Sequence, residues 1–225
     1  KDEVAHFHMR YGDESIEALV NTENWAPTYY ALDASSEAIK EVINEHSHDE
    51  EIDEHVWTSP KNVIEIVNKI TSILSEKDPS NASVYETNSA AYKEQLMALD
   101  ASFREVIDQA KIKTILFGDR FPFRYFADEY GLNYYAAFTG CSTETEASAA
   151  TVAFLINKVK EKDLPTVFTI ELSNGQIADS IVEATGAKKV TLYSCHNVTK
   201  DQMAAGATYL SMMQENVESL RKALN

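Results

Sequence analysis

The chain has 225 residues, 44% of them hydrophobic, and 36 acidic against 20 basic side chains give it a formal net charge of −16. This length allows a buried core in one large domain or two small ones. The negative charge argues against nucleic acid or an anionic membrane as a partner, because like charges repel. No stretch approaches the roughly 20 apolar residues that span a bilayer, and no signal peptide is recognisable, so any signal or lipid anchor is expected to be removed or absent from this chain.

The first predicted element is a strand, because residues 4–11 alternate between apolar and polar side chains. His6 and His8, two positions apart, would point to the same face of this strand. Two imidazoles on one face can form half of a zinc site, and the alternative is a pair of exposed strand histidines. Further along, the run EHSHDEE at 45–51 has no hydrophobic period. It predicts a mobile loop that either collects metal or is a plain solvated linker.

His55 lies between two carboxylates and an aromatic residue in the sequence DEHVWTSP. The pair Ser59-Pro60 predicts that a helix starts just after it, because proline has no N–H to lose in a first turn and its φ is already helical. The histidine would then be held on backbone with little freedom, which suits a metal ligand. Spacing alone favours the alternative, a solvated loop histidine.

The rest of the chain predicts helices and then an α/β region. Apolar residues recur at helical spacing from Pro60 to about Ser75, and again from Ala82 to about Ala110, where one helix of roughly 40 Å is expected at 1.5 Å per residue. Short apolar strands then alternate with helices, which predicts parallel βαβ units with ligands bound beyond the carboxyl ends of the strands. The predicted strands are 113–117, 133–138, 166–170 and 189–193, and the predicted helices are 123–130, 146–162, 174–185 and 200–225.

From Asp53 onward the chain resembles the metal-type solute-binding proteins of zinc and manganese ABC importers. The motifs that carry the resemblance, in the order found in that family, are DEHVWTSPKN, DPSNASVYETNSAAYKEQLMALD, YFADEYGL, GCSTETEAS and YLSMMQENVESLRKALN. The resemblance implies the C-terminal α/β lobe of such a protein, a parallel sheet with flanking helices, together with the rigid helix that links its two lobes. It also implies an extracytoplasmic protein that captures a metal ion, without turnover, and delivers it to the importer's membrane subunit.

The same resemblance implies three metal ligands. His55 matches a family histidine, and His196 stands where the family has its last carboxylate ligand. After the first strand of the lobe the family has another histidine, whereas this chain has Asp119, aligned to it with one inserted residue. Asp119 is therefore either a ligand or an ion-pair partner of Arg120. Nitrogen and oxygen donors of this kind suit Zn²⁺ better than Mn²⁺.

Three further residues fall at the predicted strand ends. Glu171 is expected to orient a ligand imidazole rather than to bind metal itself. Cys141 and Cys195 are the two cysteines of the chain, and in an exported protein a disulfide between them is favoured. The alternatives are two free thiols or a softer metal site that uses Cys195.

The segment HFHMRYGDESIEALVNTENWAPTYYALDASSEAIKEVINEH at 6–46 resembles the C-terminal end of the ZinT family of periplasmic zinc-binding proteins, whose HxH pair implies zinc ligands at His6 and His8. The predicted organisation is a ZinT-like α+β remnant at 1–46, a linker at 47–54, a helical region at 55–110 and the α/β lobe at 111–225. The importer family's N-terminal lobe has no matching counterpart. Two other functions stay open: a zinc hydrolase with Glu171 as general base, or a fragment without metal binding.

Overall fold

In a computed structural model of the chain, the described residues are 10–11, 14–15, 53–140 and 147–225. The chain divides into two compact units, Lys1–Met97 and Ala98–Asn225, and the division falls inside a helix. Across the described ranges, no helix is both long enough and apolar enough to cross a membrane. The four segments expected from the sequence stay a prediction.

The first unit contains helix α1, Pro60–Lys77, which begins where the sequence predicts. Ser59 is its N-cap, because the hydroxyl oxygen accepts a hydrogen bond from the Asn62 N–H, and Pro60 takes the first helical position. A 3₁₀ turn, Val56–Thr58, precedes the cap. Among the described residues, this unit also contains the antiparallel strands β1, Arg10–Tyr11, and β2, Glu14–Ser15, a 3₁₀ turn at Pro79–Asn81, and the first part of α2, Ala82–Asp108.

The second unit contains a four-stranded parallel sheet in the order β4-β3-β5-β6. The chain enters at β3 near the centre, pairs β4 on one side, and then crosses to β5 on the other. The direction of winding therefore reverses between β3 and β5, and ligands of open α/β sheets bind beyond the strand ends at such a point. The predicted parallel α/β lobe is confirmed, with β3 at Thr114–Phe121, β4 at Asn133–Thr139, β5 at Thr166–Thr169 and β6 at Lys188–Thr191.

Helices cover both faces of this sheet, which explains why β3 is buried along nearly its whole length. Leu116 and Phe117 are both fully buried, but they belong to different core clusters because successive strand residues point to opposite faces. The described helices of this unit after α2 are α3, Arg124–Tyr130; α4, Ala149–Glu161; α5, Gln176–Thr185; α6, Lys200–Ala204; and α7, Tyr209–Leu224. Phe117 packs in the cluster that includes residues of α2, α3 and α7, and Leu116 packs in the cluster that includes residues of α4 and α5.

The single helix predicted over 200–225 is wrong, because the structure has the two helices α6 and α7 there. Gly206 takes a left-handed φ of 79°, which ends α6. Thr208 then starts α7 with a capping box: its hydroxyl accepts from the Ser211 N–H, while the Ser211 hydroxyl accepts from the Thr208 N–H. Gly206 and Thr208 are both residues that favour a break between helices. The prediction missed the break because the apolar residues recur at helical spacing.

Candidate metal centre

The His55 segment is held by bonds between residues close in sequence. The Asp53 carboxylate oxygen Oδ1 accepts hydrogen bonds from the His55 backbone N–H and from ring nitrogen Nδ1, both at 2.8 Å. The Thr58 hydroxyl donates to the His55 carbonyl at 2.8 Å, and the imidazole lies 5.3 Å from the Trp57 ring between centroids. His55 is fully buried and Asp53 nearly so. The ring is therefore fixed in orientation just ahead of α1, as the sequence predicts.

Asp53, Glu54 and His55 each offer a ligand atom, and these three atoms lie within 4.8 Å of one another. Because Nδ1 is hydrogen-bonded to a carboxylate, a metal would be bound through Nε2. A carboxylate on the far nitrogen of a ligand histidine fixes its tautomer and raises its basicity. Acidic residues flank His55 in the sequence, but no role was predicted for Asp53. The D-x-H spacing was the available signal.

Asp119 lies inside β3 and not after it, since the strand continues to Phe121. The register between β3 and β4 shifts between Phe117 and Arg120, so Gly118 and Asp119 form a bulge. Bulges re-aim side chains near functional sites. The Asp119 carboxylate is buried, and it accepts from the Arg120 backbone N–H at 2.8 Å and from the Ile170 N–H at 3.2 Å. It thereby ties the end of β3 to the end of β5.

Glu171 follows β5, and its buried carboxylate gathers the loop that carries His196. Oε2 accepts from the Ser194 N–H at 2.7 Å. Oε1 accepts from the Ser194 hydroxyl at 2.7 Å, the His196 N–H at 2.9 Å and the Asn197 N–H at 3.2 Å. Its bond to His196 is thus made to the backbone, whereas the sequence led us to expect one to the imidazole. His196 itself is exposed.

Asn216 of α7 anchors the start of the same loop, and no pattern in the sequence pointed to this residue. Its side chain is buried, its Oδ1 accepts from the Tyr193 N–H at 2.7 Å and its Nδ2 donates to the Tyr193 carbonyl at 2.7 Å. These two bonds replace sheet pairing after β6, which ends at Thr191, two residues before the predicted end. The loop is therefore fixed from two directions by side chains far away in sequence.

Cys195 lies in this loop with a left-handed φ of 60°, and it has no disulfide partner within the described part of the chain. Burial, together with the nearby Glu171 charge, raises the pKa of Cys195 to about 12. The thiolate that a soft metal site requires is therefore disfavoured at neutral pH. Cys141 lies outside the described residues, so the disulfide with Cys195 stays a prediction.

A polar pocket of about 310 Å³ opens beside Glu171. Thr169, Ser173 and Thr191 contribute hydroxyls to its wall, and Lys189, which bonds Asp179 at 2.5 Å, also lines it. Among the described residues that line it are neither Asp119 nor His196. The pocket is thus next to the candidate ligands and does not contain them.

The predicted site residues therefore fall into three groups. His55 lies in the first unit, while Asp119, Glu171 and His196 lie in the second, at the carboxyl ends of its strands. In the second unit the structure links Asp119 to Ile170, and Glu171 to the His196 loop. His6, His8 and the histidine-rich run at 45–51 lie outside the described residues.

The sequence matches the family model described as "ZnuA: Zinc-uptake complex component A periplasmic" over residues 7–223. The chain is also 34% identical over 178 residues to the zinc-binding lipoprotein AdcA of Streptococcus pneumoniae strain TIGR4, covering 79% of this chain and 35% of that protein. It is 32% identical over 173 residues to the high-affinity zinc uptake system protein ZnuA of Bacillus subtilis, covering 77% of this chain and 54% of that protein. The chain thus spans about a third to a half of these relatives.

Two solved structures are similar to the chain at this level. One is the Zn(II)-bound ZnuA-like domain of Streptococcus pneumoniae AdcA, with a TM-score of 0.66, 32% identity and coverage of 77% of this chain and 64% of that one. The other is the metal-dependent lipoprotein YcdH of Bacillus subtilis, with a TM-score of 0.68, 31% identity and coverage of 77% and 65%.

Proposed function

The chain belongs to the ZnuA family of periplasmic zinc-uptake components, and on that premise we propose that it captures Zn²⁺ outside the cytoplasm and delivers it to the membrane subunit of an ABC importer. Zn²⁺ is the cargo, and Mn²⁺ is the less suitable ion because two of the three proposed ligands are imidazoles. Relatives named as zinc-binding or zinc-uptake proteins support the choice of metal.

The observation that carries this proposal is the Asp53–His55 pair. Asp53 accepts from Nδ1 of a buried imidazole at 2.8 Å, the arrangement that orients a zinc-binding histidine through its other nitrogen. An ordinary solvated loop histidine would be neither buried nor held at its ring. In the second unit we propose His196 and Asp119 as further ligands. Each oxygen of Asp119 accepts one backbone N–H, which leaves lone pairs that can bind a metal.

The test is zinc titration calorimetry on chelator-stripped protein. The set comprises wild type, His55→Ala, His196→Ala, and His46→Ala/His48→Ala as a control that removes imidazoles from the loop at 45–51. We expect one tight site that weakens by at least about 100-fold in each of the first two variants, because loss of an outer partner alone costs about 10–100-fold. The control should keep the tight site. Unchanged tight binding in His55→Ala would refute the assignment, and a wild type without tight binding would favour the fragment without metal function.

Delivery requires a separate measurement, namely uptake of labelled zinc by cells that carry the importer. Wild-type protein should support uptake and His55→Ala/His196→Ala should not. The alternative of a zinc hydrolase is not supported by the site. Glu171 was its only named general base, and the two oxygens of that residue already accept four hydrogen bonds from one loop.

We also propose a weaker second zinc site at His6 and His8, on the resemblance of residues 6–46 to the end of the ZinT family. Calorimetry of His6→Ala/His8→Ala is the test. The double substitution should remove a weaker binding step and leave the tight site unchanged. An isotherm identical to that of wild type would refute the second site.

A further inference from the structure

Glu171 occupies a ring of donors that belongs entirely to one short loop. The backbone N–H groups of Ser194, His196 and Asn197 converge on its carboxylate at 2.7–3.2 Å, with the Ser194 hydroxyl as a fourth donor at 2.7 Å. Successive backbone N–H groups arranged around a left-handed residue form a concave anion site, called a nest. Here the anion is a side chain of the protein itself, buried with 8% of its surface exposed.

The residue inside this nest is strained. Cys195 has φ 60° without being glycine, a conformation in which Cβ crowds the backbone and which persists only where the surroundings impose it. The donors on either side of Cys195, at Ser194 and His196, are bonded to Glu171. Those bonds are therefore among the contacts that hold Cys195 left-handed, together with the bond from the His196 N–H to the Ser194 hydroxyl at 3.3 Å. The turn at Cys195 sets where the next residue, His196, leaves the loop.

We infer that Glu171 is a positioning residue for zinc capture, which acts by holding the Cys195 turn so that His196 is presented as a ligand. This inference rests on the proposed role of His196. It differs from the usual support of a ligand histidine, since the carboxylate acts on the backbone of the loop and not through a ring nitrogen. A carboxylate is required because Oε1 and Oε2 both face donors. In glutamine one of these atoms becomes an NH₂ group, which meets an N–H without accepting from it.

The inference can be tested by repairing the strain without restoring the carboxylate. Glycine adopts a left-handed φ at no steric cost, so Cys195→Gly should let the loop keep its turn when Glu171 is changed. Leu172 is the matched control. It is also left-handed, with φ 58°, and it adjoins Glu171 in sequence but lies outside the nest.

The experiment measures zinc affinity by competition with a chromogenic chelator on the full chain. The set comprises wild type, Glu171→Gln, Cys195→Gly, Leu172→Gly and the two double variants with Glu171→Gln. We expect Glu171→Gln to weaken zinc binding by at least about tenfold, Glu171→Gln/Cys195→Gly to recover most of that loss, and Glu171→Gln/Leu172→Gly to recover none. Wild-type affinity in Glu171→Gln, or equal recovery from both glycines, would overturn the inference.

Amide hydrogen exchange on the metal-free protein separates this inference from the proposed function. The Ser194, His196 and Asn197 amides should all be protected in wild type and in Leu172→Gly, and at least one of them should exchange faster in Glu171→Gln, because one of the two acceptor oxygens is lost. Exposed amides together with unchanged zinc affinity would overturn the inference. Unchanged zinc affinity in His196→Ala would instead refute the ligand assignment on which it rests. If Glu171→Gln does not fold, Glu171→Asp keeps the charge on a shorter side chain, and it must show a loss of zinc affinity that Cys195→Gly also reverses.

Discussion

The two regions that supply candidate ligands are built in opposite ways. The His55 segment is held by partners two to six residues away: Asp53 to His55, Thr58 to His55, and the Asn62 side chain to the Val56 carbonyl at 3.1 Å. The edge of the second unit is held by partners 23 to 51 residues apart, from Asp119 to Ile170 and from Glu171 to Ser194. The hydrogen bonds of the first region join residues of one short segment, whereas those of the second exist only once the sheet has formed.

This difference has an energetic side. Local bonds close short loops and require little chain entropy, while bonds across 23 to 51 residues depend on the ordering of everything between them. Substitutions at the sheet edge should therefore lower the stability of the second unit. Changes in the His55 segment should act mainly on the ligand itself.

The largest loss of stability is expected from Gly118→Ala, which adds a methyl group at the bulge in β3. A Cβ at this position would lie 2.5 Å from the Ala178 Cα and 2.7 Å from its N, so α5 must move away from the sheet. We expect a loss of about 3 kcal/mol in the free energy of unfolding by urea, since overpacking of a core costs about 1–3 kcal/mol and occasionally more.

Gly186→Ala is the control for Gly118→Ala. Gly186 has φ 77° and open space around its Cβ position, so it tests backbone strain without crowding and should cost about 1 kcal/mol. Equal losses in the two variants would show that close packing of α5 on β3 is not what requires glycine at 118.

The next effect is expected from Asp119→Ala, which leaves the N–H just after β5 without its acceptor. The partly buried Ile170 N–H loses its 3.2 Å bond, and leaving a buried donor unsatisfied costs about 1–3 kcal/mol. We expect about 2 kcal/mol by urea denaturation of metal-free protein. Asp119→Asn keeps one acceptor oxygen and should lose less. A metal-free Asp119→Ala variant as stable as wild type would mean that this residue serves only the metal.

In the His55 segment, Asp53→Asn should weaken zinc binding about 10–100-fold and barely change the stability of the metal-free protein. The asparagine removes the carboxylate that holds Nδ1 at 2.8 Å but keeps a side chain of the same size. Ser59→Ala is its control: it removes the N-cap of α1, should cost about 1 kcal/mol of stability, and should leave the zinc affinity of the folded protein near that of wild type. The opposite pattern would make Asp53 a structural residue.

The smallest effect concerns Asp78, another locally built feature, at the end of α1. Hydrogen bonds from the side chains of Asn81, Ser80 and Tyr85 lower its pKa to about 2. Because the folded pKa lies below the ordinary value, this stabilisation is present above about pH 4 and is lost as the pH falls towards 2. Carboxyl NMR titration should show the low value in wild type and a higher one in Asn81→Ala. An ordinary pKa in wild type would contradict the prediction.

Much of this molecule could be predicted from its sequence, for a physical reason. The start of α1 is set by Ser59 and Pro60, and the alternation of apolar strands with helices specifies a parallel sheet, because both signals arise from residues that are neighbours along the chain. The position of His55 ahead of a helix follows from the same local chemistry. The break between α6 and α7 could also have been predicted from Gly206, which takes the left-handed conformation that glycine favours.

What only the tertiary structure decided is which distant groups meet. The strand order, the bulge that turns Asp119 towards the Ile170 N–H, the loop bonds to Glu171 and the hold of Asn216 on Tyr193 all join residues separated by 23 or more positions. No periodicity encodes such pairs. They arise because a parallel sheet brings the carboxyl ends of its strands to one edge, where buried polar groups must find partners.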